Sequence, residues 1–371
     1  MQHCSVFVTK PGSPAAFLER FVAVETRAAG LIVAAALLGV GLATFGNVYI
    51  ENDFTHVLSE IAIGGFFLLV GLELRREFAS GVLSGLTLWA SVAAAIAGMG
   101  LPAFIYASQA PAAARDGWVA VVATDIALAA AVMTLGGFSR KVRTLLLTVA
   151  VLDDLGGLIA LATTGKSPEL LWLALAVAVV AIYAWVIRQF NLGVVTVIVA
   201  TAVVVLLMLR AGLHPSLGAF AVGFCAPNFD PENPSVSERV QEHVHPWIAA
   251  IFLPIFVFLH TLVPIATPKD APMSLVWTTV VAIVLGKVLG VGGVLIVLSR
   301  RLDIAVSEAV AVGCAAAAAL TVALIGVAAT LDNTVYEQAV SLGILIATAI
   351  AFLLGVGAGR LTANESESDD A

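Results

Sequence analysis

The chain has 371 residues, 60% hydrophobic and only 12% charged, with a mean hydropathy of +1.04. Soluble domains carry roughly 25% charged residues; the deficit excludes a disordered chain, a collagen-like chain and an ordinary soluble enzyme, and leaves an all-α polytopic membrane protein. The formal charge is −7, and four of the acids (Glu365, Glu367, Asp369, Asp370) crowd the C-terminal end, while no basic block suggests a nucleic-acid partner.

Residues 1–27 read as a cytoplasmic N-terminal segment. Lys10, Glu19, Arg20, Glu25 and Arg27 mix the charges, which does not suit a cleaved signal. Ser13-Pro14 is an N-cap followed by Pro at the first helical position, so a short amphipathic helix is expected from there to Glu25. Residues 28–359 form the membrane domain. A crossing helix needs about 20 mostly apolar residues. Twelve segments are assigned: 28–45, 56–74, 86–108, 117–135, 144–163, 170–187, 192–209, 213–225, 246–264, 275–298, 307–331 and 339–357. The eighth is short for a crossing. Residues 360–371 are polar and acidic and read as a disordered tail. Cys4, Cys225 and Cys314 are far apart and lack CxxC spacing, so neither a disulfide framework nor a thiolate metal site is indicated.

Orientation follows from Lys and Arg in the loops. With the N-terminus inside, the cytoplasmic set is Lys10, Arg20, Arg27, Arg75, Arg76, Arg140, Lys141, Arg143, Arg188, Arg239, Arg300, Arg301 and Arg360. The outer set is only Arg115, Lys166, Arg210 and Lys269. This asymmetry places both termini in the cytoplasm and requires an even number of spans.

Four ionisable residues lie in mid-span: Asp125 after Thr124, the adjacent Asp153 and Asp154, and Lys287. Charges at membrane depth are costly and usually functional. Three acids cannot be neutralised by one base, so some carboxylate must be protonated, wet or bound to a cation. Adjacent helical residues point about 100° apart, so Asp153 and Asp154 cannot do the same job. One can pair with Lys287 while the other faces a cavity. A carboxylate that holds either a proton or a small hard cation is the simplest form of an exchanger. Thr124 can offer its hydroxyl to a cation or to freed carbonyls, or can serve as a small packing residue.

Thr124-Asp125, Leu152-Asp153-Asp154-Leu155-Gly156-Gly157 and Gly286-Lys287 resemble the NhaA family of bacterial sodium/proton antiporters. So do Phe66-Phe67-Leu68-Leu69-Val70-Gly71-Leu72-Glu73-Leu74-Arg75-Arg76-Glu77, Gly212-Leu213-His214-Pro215-Ser216 and Glu242-His243-Val244-His245-Pro246-Trp247. The resemblance covers about 28–359. It implies twelve helices in inverted repeats, with the fourth and eleventh unwound and crossed. It implies electrogenic exchange of cytoplasmic Na⁺ for external H⁺ across the bacterial inner membrane, regulated by pH and without a cofactor; Li⁺ is a candidate cargo because oxygen ligands suit it by the same hardness argument as Na⁺. Asp154 would be the main carboxylate for Na⁺ and H⁺, Asp153 the partner of Lys287 and a further Na⁺ ligand, and Asp125 the charge balancing the crossed helix ends. The matching pH-sensing candidates are Glu73, Arg76, Glu77, Glu242, His243 and His245.

Three departures from the family pattern stand out. The two histidines of the Glu-His block stand one residue closer together. The eleventh span has Ala315-Ala316-Ala317-Ala318-Ala319-Leu320-Thr321 where the family carries a glycine-containing break. Alanine favours helix over glycine by about 1 kcal/mol per residue, so this span is expected to be less unwound, or unwound at Thr321. The loop Gly46–Phe54 is short for the hairpin that joins family protomers, so a homodimer would be weaker or differently built. Two rivals remain, a degenerate homologue that senses ions and a sodium-coupled organic-anion transporter of related fold. An intramembrane aspartyl protease is disfavoured because Asp153 lacks a preceding Gly-x-Gly.

Overall fold

A computed structural model describes residues 14–46, 53–79, 85–164, 169–190, 194–226, 240, 244–262, 272–331 and 334–369. Every regular element among them is helical. In chain order they are α1 (Pro14–Gly46), α2 (Asp53–Ala79), α3 (Gly85–Gln109), a 3₁₀ turn (Ala112–Gly117), α4 (Trp118–Val122), α5 (Ile126–Gly136), α6 (Arg140–Thr164), α7 (Leu170–Gln189), α8 (Val194–Ala211) and α9 (Pro215–Phe224). A π turn (Ile248–Phe252) then leads into α10 (Leu253–His260). Next come α11 (Met273–Lys287), a π turn (Val288–Gly292), α12 (Gly293–Leu302), α13 (Val306–Ala316), α14 (Thr321–Thr330) and α15 (Thr334–Asp369).

Each of the twelve expected segments has a helical counterpart. Among the described residues, six stretches are long and apolar enough to cross a membrane: Val57–Arg76, Gly85–Gln109, Leu170–Ile187, Val194–Ala211, Met273–Leu302 and Val335–Thr362. Their outer faces carry bare Leu, Val, Phe and Trp, such as Trp89, Phe104 and Val297. A bilayer, unlike water, leaves such faces without a hydrophobic penalty.

Two differences from the sequence reading concern the ends. The first helix is continuous from Pro14 to Gly46 rather than a short helix followed by a separate span. The last helix carries on through Asp369, where a disordered tail is expected. After Gly359 no Gly or Pro interrupts the chain, and extending a formed helix adds a hydrogen bond per residue. Arg360 also ties this end down, donating from Nε to the Leu135 carbonyl at 3.2 Å.

The packing falls into two sets. In one, α2 lies against α9, α8 against α7 and α9, and α10 against α1 and α2. The α2–α9 contact is backbone to backbone: a side chain on Gly223 would strike α2 at Leu72 and Gly71. The other set has two halves of like order, each a long helix, a broken helix and a long helix. These are α3, α4/α5, α6 and α11–α12, α13/α14, α15. In it α3 packs on α6 and α11, α15 on α5, α11 and α13, and α4 on α14.

Local chemistry explains several ends. Pro254 has no N–H to give, which accounts for the widened π turn just ahead of it. Gly137, at φ 71°, closes α5 in the left-handed conformation open to glycine. Glu308 accepts from the Ala305 N–H at 2.9 Å and caps the start of α13.

Candidate functional site

The two broken helices meet at their interruptions. α4 ends at Val122, Ala123 turns extended (φ −66°, ψ 153°), and Asp125 (φ −84°, ψ 105°) caps α5. In the second, Ala317 (φ −77°, ψ −5°) ends α13, and Leu320 (φ −134°, ψ −71°) precedes α14. The alanine-rich segment is therefore interrupted, immediately before Thr321. The freed backbone of each break is satisfied by the other. The Asp125 N–H donates to the Ala318 carbonyl at 2.7 Å. The Thr124 hydroxyl lies 2.9 Å from the Ala316 carbonyl.

Asp125 is buried and serves two helix starts. Its Oδ1 accepts from the Leu128 N–H at 3.0 Å, in the first turn of α5. Its Oδ2 accepts from the Thr321 N–H at 3.1 Å and the Thr321 hydroxyl at 2.8 Å, at the first residue of α14. One anion thus sits at the positive ends of two half-helices, where the peptide dipoles favour it. The opposite end of α4 receives a cation: Lys287 Nζ donates to the Val122 carbonyl.

Lys287 and Asp153 form a fully buried ion pair, with Nζ 2.6 Å from Oδ2 and both side chains 0% exposed. The ammonium uses its three protons on Asp153, on Val122 and on Thr124 Oγ1 at 3.0 Å. Thr124 has one proton, which serves either the Ala316 carbonyl or Asp153 Oδ2, each at 2.9 Å. Lys287 reaches this point because α3 and α11–α12 approach closely. A side chain on Gly98 would meet Val291 at 2.5 Å, and one on Gly290 would meet the Ala97 carbonyl at 2.5 Å. The π turn that starts directly after Lys287 is a device often found at functional positions.

Asp154 faces elsewhere. It is 1% exposed, takes a backbone hydrogen bond from Thr124, and keeps Oδ1 without a protein partner. With Asp125 and Thr321 it borders a cavity closed by Ile63, Phe66 and Phe67 of α2 and by Leu253 and Phe256 of α10. Its free space is about 10 Å³, room for one water-sized sphere. Asp153 Oδ1 is likewise buried without a protein partner. The arrangement can offer bare carboxylate oxygen to one small cation or proton between the two packing sets.

All five expected ion-site residues (Thr124, Asp125, Asp153, Asp154, Lys287) therefore come together. The expected pH-sensing set is placed only in part. Glu242, His243 and the side chains of Glu73 and Glu77 lie outside the described residues, as do residues 47–52 of the short loop on which the dimer expectation rests. Arg76 is half-buried near the end of α2. His245 stands just ahead of the ninth span, and burial pushes its imidazole down to about 4.

Sequence reasoning passed over two residues near this site. Glu60 is an acid inside the second span, on the α2 face that carries Ile63 and Phe67 (i, i+3, i+7). It was findable as an intramembrane charge. Thr348, whose hydroxyl donates to the Ala319 carbonyl, gave no signal, being one more small residue in an apolar helix.

The family model described as Na⁺/H⁺ antiporter 1 matches residues 23–358. The Na(+)/H(+) antiporter NhaA of Shigella dysenteriae serotype 1 (strain Sd197) is 35% identical over 263 residues, and that of Escherichia coli (strain K12) is also 35% identical over 263 residues. Each match covers 66% of this chain and 66% of the relative's length. Among solved structures, the sodium proton antiporter MjNhaP1 from Methanocaldococcus jannaschii at pH 8 superposes with a TM-score of 0.60, covering 94% of this chain and 98% of that one. At 13% identity this likeness concerns the fold alone, that of an all-α polytopic membrane protein.

Proposed function

Because the chain belongs to the Na⁺/H⁺ antiporter 1 family, we propose that it is a secondary transporter rather than an enzyme, exchanging cytoplasmic Na⁺ for external H⁺ across a bacterial inner membrane. Li⁺ is its second cargo. The chain crosses twelve times with both termini in the cytoplasm, in keeping with the bias of Lys and Arg toward one side. One observation carries the reading: Asp154 is a buried carboxylate with an unpartnered oxygen on a one-ion cavity, beside an already paired Asp153.

The charges yield a cycle. In the proton-loaded state Asp154 is protonated and the Asp153–Lys287 pair is neutral overall. Na⁺ entering the cavity displaces the Asp154 proton and draws Asp153 away from Lys287. The family resemblance implies that more protons than Na⁺ move in each cycle, so exchange moves net charge and responds to membrane potential. Asp125 balances the helix ends and holds the site's geometry. The site turns from one side of the membrane to the other as the two packing sets shift across the cavity.

The test is proton flux in sealed, acid-loaded vesicles containing the purified protein, with Na⁺, Li⁺ and K⁺ added over a pH series. Na⁺ and Li⁺ should collapse the gradient. Asp154→Asn should abolish the response while the protein still inserts and elutes as a single species. Sodium-driven flux surviving in that variant would remove Asp154 from the reaction.

A further inference from the structure

The alanine break carries no polar side chain of its own, yet three of its carbonyls have donors. Ala316 faces the Thr124 hydroxyl, Ala318 the Asp125 N–H and Ala319 the Thr348 hydroxyl. The first two donors belong to the other break. Thr348 belongs to α15. A threonine in a helix ordinarily returns its proton to the carbonyl one turn back. Thr148, Thr201, Thr279 and Thr330 all do so in this chain. Thr348 is buried and instead reaches across to another helix.

The chain positions match between the halves. Thr124 is the residue before the N-cap of α5, and its hydroxyl lies on Asp153, 29 residues further on in α6. Ala319 is the residue before the N-cap of α14, and its carbonyl lies on Thr348, also 29 residues further on, in α15. α6 and α15 are the third members of their halves. We propose that Thr348 is the counterpart of Asp153 in the second half: a positioning residue that holds the Ala319 carbonyl, keeps the alanine segment from closing into helix, and so aims the Thr321 N–H and hydroxyl at Asp125.

In its activity readout this inference rests on the exchange reading above. Thr348→Val and Thr348→Cys remove the strong donor, whereas Thr348→Ser keeps it in nearly the volume of cysteine. Two quantities are measured on the full chain in vesicles. One is the Na⁺ concentration giving half-maximal flux, alongside the maximal rate. The other is hydrogen–deuterium exchange of the peptide spanning 315–324. The Val and Cys variants should need about five- to tenfold more Na⁺ and should exchange the break peptide faster by a similar factor, the effect of one lost buried hydrogen bond. The Ser variant should match the parent in both. Parent-like behaviour of the Val and Cys variants, or a Ser variant as impaired as the Cys variant, overturns the proposal. If the Val variant does not insert, the Cys and Ser pair decides alone. Absence of Na⁺-driven flux in the parent would count against the exchange reading, while the deuterium comparison would still judge Thr348.

Discussion

The two broken helices do the same thing with opposite materials. The first is interrupted at Ala123-Thr124-Asp125, where two of three side chains can take part in hydrogen bonds. The second is interrupted at Ala317-Ala318-Ala319-Leu320, where none can. The first break therefore supplies the chemistry for both: Asp125 caps α5 and α14, and Thr124 reaches Ala316. The second is held open from outside by Thr124, Asp125 and Thr348. Backbone polar groups freed in a membrane must find partners, and where partners stand ready they outweigh the roughly 1 kcal/mol per residue by which alanine prefers helix over glycine. An unwound segment needs no glycine if its neighbours supply donors.

If this asymmetry is right, damage to the first break should be far worse than damage to the second. The largest effect is expected at Lys287. Lys287→Met leaves Asp153 buried without its cation and strips a donor from Val122, at a cost of about 3–5 kcal/mol. Thermal unfolding of the reconstituted protein should show it as a lower Tm. Pairing the change with Asp153→Leu should return most of the loss, since two apolar groups tolerate burial where a lone charge does not. A double variant no better than the single would mean that Lys287 matters through Val122 and Thr124 rather than through Asp153.

Asp125→Ala should come next. It removes the acceptor for the starts of both α5 and α14, each a lost cap of about 1–2 kcal/mol. Na⁺-driven flux should disappear and Tm should fall by less than for Lys287→Met. Ala318→Gly, on the second break, should leave Tm nearly unchanged, because the residue is already outside helix. Equal losses from Asp125→Ala and Ala318→Gly would contradict the unequal division of labour between the breaks.

Much of this was legible in the sequence. Mid-span Asp125, Asp153, Asp154 and Lys287 announce themselves because charge at membrane depth is rare, and adjacency alone separates the jobs of Asp153 and Asp154. The apolar segments also emerge from composition, and six of them, among the described residues, are long and apolar enough to cross a membrane. What escaped was whatever depends on tertiary donors. Six successive residues from Ala315 to Leu320 read as helix by propensity, and only the crossing of α4/α5 and α13/α14 makes a break there favourable. Thr348 escaped for the same reason: its partner is in another helix, and no periodicity marks it. The last helix runs on past Gly359 because nothing in the sequence that follows stops a helix that is already running.

The smallest effect is expected away from both breaks, at His245. An unperturbed histidine titrates near 6.5 and is an obvious candidate for a pH sensor. Burial lowers this one to about 4, so it is uncharged at neutral pH. A group with a folded pKa below its unfolded value binds its proton more readily when unfolded. Its contribution to stability is therefore intact above about pH 6.5 and is lost as pH falls toward 4. His245→Gln should leave the pH profile of Na⁺-driven flux where it is, yet should flatten the decline of Tm between those two pH values. A flux profile displaced in the variant, with Tm unaltered, would make His245 a sensor after all and would require it to leave its half-buried position during the transport cycle.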